Sequence, residues 1–334
     1  MKAIVIDKPG QVDVRQVADP TPGPDEIVVA VGACGVCGTD LHIADGEFPP
    51  TPYPITPGHE FAGEVVAVGA GVPPDLAALG HRVAVDPSLF CGYCTPCRAG
   101  RGNLCEHWGA IGDTVSGAFA QYVAVPAANA HRLPGHVDDR AGALIEPLSC
   151  AVHGLARLGS VLAQRVLIVG AGTMGLLLQQ LLLRAGAASV TVVDKAAARR
   201  DVADKLGAAC VVGDSTELGD QRFDVSIDAT GVPAAIEAAF GRLARGGKLL
   251  VFGVAPAAAT VGLSPFRIYN DELTVVGSMA VLHSFTEAVD LMAAGAVDVA
   301  PLLATPPMPL DSYPAALAAV RSGSGVKVQV APQT

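Results

Sequence analysis

Val166-Leu167-Ile168-Val169-Gly170-Ala171-Gly172-Thr173-Met174-Gly175 is the stretch whose reading decides the fold. Four apolar residues read as a buried strand, a G-x-G-x-x-G turn follows, and the apolar run after it reads as a helix. In that setting Gly170 makes the tight turn and Gly172 lets the backbone approach a pyrophosphate. Gly175 lets helix and strand pack closely. The amides that open the helix at Thr173 and Met174 then face the phosphates. Residues 166–183 are also the nearest thing to a membrane span. However, Gly170, Gly172, Gly175, Gln179 and Gln180 interrupt them and Arg165 and Arg184 bracket them, so the glycine fingerprint explains the run better.

Downstream of this stretch, strands and helices alternate. Strands are expected at 165–170, 189–194, 209–212, 223–228, 248–253 and 273–277, with helices at 173–185, 196–206 and 233–243. This is the pattern of a doubly wound parallel sheet of about six strands. Asp194 ends the second strand, 19 residues after Gly175. A carboxylate there accepts hydrogen bonds from the ribose hydroxyls of NAD and repels the 2′-phosphate of NADP. Lys195 and Arg199 either soften that repulsion or simply open the next helix. Thr230, in the turn Ala229-Thr230-Gly231 at the carboxyl edge of the sheet, either touches the cofactor or only makes a turn.

Upstream, the first 135 residues are β-rich, with short strands expected at 2–6, 11–17, 26–33, 61–69, 82–85 and 118–125. A small distorted barrel or sandwich fits that spacing, with cysteine-bearing loops between the strands. Cys91, Cys94, Cys97 and Cys105 give C-x2-C-x2-C-x7-C. Two-residue gaps let a tight loop aim successive sulfurs at one centre, and the longer arm closes a tetrahedron. Four thiolates leave no open position, which points to a structural zinc that fastens a lobe. An iron–sulfur cluster or a redox-active pair would use similar residues. Gly58-His59-Glu60 enters another strand, and Cys37 lies 22 residues before His59. Cys, His and a carboxylate suit Zn²⁺ in a site that keeps one position open.

Length and composition narrow the classes. A chain of 334 residues is too long for one ordinary core, so two domains are expected. With 51% apolar and 16% charged residues it can bury large surfaces. A net charge of −10 argues against nucleic acid or an anionic membrane as the main partner. Four of the eight cysteines crowd into fifteen residues, which favours metal in a reducing compartment over a secreted disulfide scaffold. With no leader-like segment at the start, a cytoplasmic location is expected.

The Cys37–His59–Glu60 constellation, the four-cysteine lobe and the late glycine fingerprint, in that order, resemble the zinc-dependent medium-chain alcohol dehydrogenases. Glu146, in Ile145-Glu146-Pro147-Leu148-Ser149, makes the sorbitol, polyol and threonine dehydrogenase branch the most similar. The resemblance runs from Lys2 to Val330. It implies a GroES-like β-rich catalytic domain over 1–148 and 283–334, and an NAD-binding Rossmann domain over 149–282. It also implies two zinc ions per chain, one catalytic and one structural, and a homodimer or homotetramer. By position, Cys37 and His59 become catalytic zinc ligands, joined by Glu60 or Glu146. Thr39 is similar to the hydroxyl that takes the substrate proton, and His42 to the residue that passes it to solvent. The implied reaction moves a hydride from a small secondary alcohol or polyol to NAD, with L-threonine 3-dehydrogenase activity as the alternative. A non-enzymatic binding protein on the same fold would be expected to lack Cys37, His59 or Thr39. Relatives that bind polyols carry an arginine just after the last sheet strand. Here that region reads Gly277-Ser278-Met279-Ala280-Val281-Leu282, uncharged, which favours a substrate smaller than a hexitol.

Overall fold

A computed structural model describes all 334 residues, which divide into two compact units. The first comprises Met1–Ser149, Val281–Gly295 and Leu303–Thr334; the second comprises Cys150–Ala280 and Ala296–Leu302. Ala296–Leu302 thus leaves the carboxyl-terminal run of the first unit and packs with the second. There the Asp298 N–H donates to Gln180 Oε1 at 2.6 Å.

The second unit holds a six-stranded, wholly parallel sheet. Its spatial order is Cys210–Val212, Ser189–Val193, Arg165–Val169, Phe223–Asp228, Leu243–Val251 and Thr274–Gly277. The order reverses between the strand that feeds the glycine turn and the strand ending at Asp228. In such sheets, ligands bind outside the carboxyl ends of the strands at this reversal. Leu167, Leu249, Ile236 and Phe240 are among the residues that fill one face of the sheet.

In the first unit the main sheet runs Met308–Pro309, Val328–Ala331, Glu26–Val36, Glu60–Val68, Arg82–Val85 and Ala130–Arg132, with Tyr122–Pro126 also paired to Glu26–Val36. Its core includes Ile4, Ile27, Val29, Phe61, Phe119 and Tyr313. Gly35 is paired with Glu60 on one side and with Gln329 on the other. That register places the start of a strand from the end of the chain beside the His59–Glu60 corner.

Two elements differ from the sequence expectation. The apolar run 141–158, which reads in the sequence as one buried helix linking two domains, is instead a short turn, Asp139–Gly142, followed by the helix Ile145–Leu158. Pro147 has no N–H to donate to the carbonyl of residue 143, and its ring would crowd that carbonyl, so it fits only in the first turn of a new helix. The segment after Cys37, expected as loop, is the helix Gly38–Asp45. Its apolar residues show no helical stripe, so periodicity does not reveal it. The helix is set by its ends: Asp40 Oδ2 accepts the Cys37 N–H at 2.8 Å, and Gly46 closes it at φ 79°. No helix is long and apolar enough to cross a membrane.

Candidate metal and dinucleotide sites

Cys37 follows the sheet strand Glu26–Val36 and caps the next helix. His59 precedes the neighbouring strand, and Glu60 opens it. Strand pairing therefore brings the three residues together, with ligand atoms all within 4.8 Å of one another. Cys37 Sγ and His59 Nε2 are 3.1 Å apart. Ideal tetrahedral Zn–S and Zn–N bonds would put such atoms roughly 3.5 Å apart, so a small adjustment admits the ion. Burial pushes the Cys37 thiol up, since a thiolate loses its hydration there. Burial alone would lower His59, but the neighbouring charges of Cys37 and Asp113 outweigh it and hold the imidazole well above its ordinary value. A cation would relieve this arrangement by accepting both ligands as thiolate and neutral imidazole.

Glu60 is held by a group that no sequence motif contains. Lys327 Nζ makes a very short contact with Glu60 Oε2 and donates to the Val36 carbonyl at 3.2 Å. Both side chains are almost wholly buried. Desolvation pulls the ammonium down, but the adjoining carboxylate more than reverses this, and Lys327 sits above its ordinary value. The pair reaches across Gly35, where an added Cβ would lie 2.0 Å from Glu60 Oε2. Glycine at 35 is what leaves room for it.

Glu146 stands outside the 4.8 Å group, in the first turn of Ile145–Leu158, where its carbonyl accepts from Ser149 Oγ at 2.6 Å. Thr39 lies in the first turn of Gly38–Asp45 and His42 on its second turn. His42 Nδ1 is 2.9 Å from Glu47 Oε2. A carboxylate only accepts, so Nδ1 is the nitrogen that donates in this contact, and Nε2 is left to face outward from it.

The four cysteines converge as their spacing suggests. Cys91 and Cys97 sulfurs are 4.0 Å apart, and those of Cys94 and Cys105 3.8 Å. A tetrahedral zinc–tetrathiolate requires about 3.8 Å, so the cradle fits the ion. Backbone N–H groups of Cys91 and His107 point at Cys105 Sγ, and that of Cys94 at Cys91 Sγ. Burial raises the Cys94 thiol, but backbone donors from Cys97 and Glu106 outweigh it and bring it to about 6. Burial and the adjacent thiols push Cys97 up to about 12. Zinc binding would replace this uneven sharing of protons with four thiolates.

In the second unit Gly170 has φ 106°, and a Cβ on Gly175 would lie 1.8 Å from the Gly170 carbonyl, so neither position takes a side chain. At Gly172 only Arg199 Nη1, 3.9 Å from a built Cβ, is near, which leaves the space above the turn open. Thr173, Met174 and Gly175 form the first turn of Thr173–Arg184, whose N-cap, Gly172, has no side chain. A cavity of about 320 Å³ opens beside them, with Gly170, Asp194, Lys195, Asp214, Thr230 and Val232 in its wall. Asp194 accepts the Ala171 N–H at 2.7 Å and the Ala196 N–H at 2.8 Å. Its carboxylate is thus fixed at the rim, between the glycine turn and the next helix. Lys195 is in the wall, and Arg199 belongs to the helix Ala197–Lys205. Thr230 also lines the cavity, in a turn held by Asp228, which accepts from Thr230 N, Thr230 Oγ1 and Gly231 N.

Three residues that matter here escaped the sequence reading: Lys327, Asp113 and Asp228. Asp228, at a strand end before Ala-Thr-Gly, carries a usable signal. Lys327 and Asp113 acquire their partners only through contacts far along the chain.

Comparison with known proteins agrees with this geometry. Residues 23–135 match the alcohol dehydrogenase GroES-like domain, and residues 173–294 match the zinc-binding dehydrogenase family. The chain is 35% identical to D-arabinitol dehydrogenase 1 of Uromyces fabae, covering 99% of this chain and 97% of that one. It is 32% identical to an L-threonine 3-dehydrogenase of Idiomarina loihiensis, covering 96% of each. Among solved structures, a zinc-binding dehydrogenase of Sinorhizobium meliloti 1021 bound to NADP superposes with a TM-score of 0.93 at 38% identity, covering 99% of both chains. Two family matches in order along one chain, with relatives spanning nearly all of it, place this protein in the zinc-binding dehydrogenase family, in its polyol and threonine dehydrogenase branch.

Proposed function

We propose that this chain oxidises a small secondary alcohol or polyol with NAD, using a zinc ion at Cys37 and His59 and a second, structural zinc at Cys91, Cys94, Cys97 and Cys105. The observation that carries the reading is the convergence of Cys37, His59 and Glu60 within 4.8 Å, beside the helix that bears Thr39 and His42. When bound, the metal supplies Lewis acidity to the substrate hydroxyl. Thr39 then takes the hydroxyl proton, and His42 passes it on through Nε2 while Glu47 holds Nδ1. The glycine turn and Asp194 seat the dinucleotide.

Two features bear on the substrate. Residues 277–282 carry no charge, so no guanidinium is available there for a long row of hydroxyls. Lys327, the cation against the metal cluster, is buried and paired with Glu60, which leaves it no capacity for a substrate carboxylate. Threonine is therefore disfavoured, although a threonine dehydrogenase is among the relatives. A screen of NADH production over secondary alcohols, tetritols to hexitols and L-threonine tests this, with zinc counted per chain. Turnover confined to threonine would sink the alcohol reading, and absence of all NAD-linked turnover would sink the enzyme reading.

Coenzyme preference has its own test. Asp194→Asn keeps an acceptor for the flanking amides but removes the charge that opposes a 2′-phosphate. A hydrogen bond to a charged group is worth about 1.5–3 kcal/mol, so the ratio of kcat/KM for NAD over NADP is expected to fall roughly 10- to 100-fold. An unchanged ratio would show that Lys195 and Arg199, not Asp194, set the preference.

A homodimer or homotetramer belongs to the same proposal. The strand Thr274–Gly277 ends the parallel sheet with one side unpaired, and Val275 on it is 44% exposed. A cytoplasmic location belongs to it as well, because a metal-binding cysteine cluster suits a reducing compartment.

A further inference from the structure

We infer that Asp113 is the positioning residue that orients His59 for the metal, supplied by a loop outside every motif; this rests on the reading of Cys37 and His59 as ligands. The two ring nitrogens of His59 face different ways. Nε2 is 3.1 Å from Cys37 Sγ, and Nδ1 is 3.0 Å from Asp113 Oδ1. Asp40, the acid that follows Cys37 closely in sequence, lies farther off, with Oδ1 4.0 Å from Nδ1. Its other oxygen already accepts the Cys37 N–H. The two carboxylates therefore divide the work: Asp40 shapes the Cys37 corner, and Asp113 faces the imidazole.

Buried polar atoms without partners are costly, and this pair is buried, at 8% and 9% side-chain exposure. His59 Nδ1 and Asp113 Oδ1 accept or donate no regular hydrogen bond elsewhere, and their 3.0 Å approach is the nearest charged contact of Nδ1. Such contacts tighten when the site fills. A metal needs the lone pair of Nε2, so Nδ1 must carry the proton. A buried carboxylate at Nδ1 selects that tautomer and makes the ring a better ligand.

The backbone explains how Asp113 reaches this place. Gly112 has φ 89°, and a Cβ there would lie 2.4 Å from the Gly58 carbonyl carbon and oxygen. A Cβ on Gly117 would lie 2.3 Å from the same oxygen. Gly117, Ala118 and Phe119 donate their N–H groups to the carbonyls of Thr56, Gly58 and Pro57. Only glycines permit so close an approach, and it sets the 110–118 loop flat against the backbone that presents His59.

The test is metal affinity by chelator competition, with zinc counted per chain, for the wild type, Asp113→Asn, Asp113→Glu and Asp40→Asn. Asp113→Asn is expected to weaken the Cys37–His59 site about 10- to 100-fold, to leave the four-cysteine zinc in place, and to keep the unfolding midpoint of the metal-free protein. Asp113→Glu is expected to recover part of the affinity. Affinity of Asp113→Asn within about twofold of wild type would overturn the inference, as would a loss confined to Asp40→Asn. Should the variants not fold, the imidazole ¹⁵N spectrum of zinc-loaded wild type decides. A proton on Nδ1 of His59 supports the assignment, and a proton on Nε2 overturns it. Wild type that holds zinc only at the four cysteines would overturn the site reading itself.

Discussion

On the proposed reading, Cys37→Ser or His59→Ala is expected to lower kcat/KM by roughly 10³-fold or more, while zinc at the four-cysteine group is expected to stay in place. The magnitude follows from several kcal/mol of charge stabilisation that a Lewis acid gives and that no other group near Cys37 can replace. The two metal groups share no ligand, so losing one leaves the other intact. Metal analysis should therefore show one zinc equivalent lost, with unchanged far-ultraviolet circular dichroism. Activity retained in Cys37→Ser with full zinc would remove the mechanism and leave the fold untouched. Chelation of the four-cysteine site should instead loosen its lobe, because a closed tetrathiolate contributes folding energy.

The second large effect concerns Lys327. Lys327→Met removes the ammonium ion-paired with Glu60 and leaves that carboxylate buried. Breaking a buried pair at one partner costs about 3–5 kcal/mol, since the remaining charge has no water to return to. In the metal-free protein the full loss is expected, read as a lower denaturant midpoint. With zinc bound, the cation itself offsets the Glu60 charge if Glu60 turns toward it, so the loss should shrink. Equal destabilisation with and without zinc would show that Glu60 stays off the metal. Adding Glu60→Gln to Lys327→Met should restore much of the stability, because no unpaired charge then remains.

Much of this protein is readable from local sequence chemistry. The strand Arg165–Val169, the glycine turn and the helix Thr173–Arg184 follow from local chemistry: apolar continuity, a positive φ at Gly170, and no tolerated Cβ at Gly175. The cysteine cluster is equally legible, because its four residues are close in sequence and the loop geometry brings the sulfurs to one place. Asp194 could be placed because it terminates a strand at a countable distance from the turn.

What the chain alone could not supply are the partners that come from far away. Residues 38–45 showed no helical stripe, and only the end caps at Asp40 and Gly46 reveal the helix. Lys327 reads as an ordinary charge at the start of a strand. It becomes a buried ion-pair partner because its strand lies on the far side of Gly35 from Glu60, 267 residues away in sequence. Asp113 reads as a turn residue until the loop around it settles on Gly58 and turns it toward His59. Sequence determined the cysteine spacing, the glycine turn and the alternation of strands and helices, since these depend on residues near one another. Tertiary structure decided which charges surround the ligands, because burial and strand register bring together residues that share no local pattern.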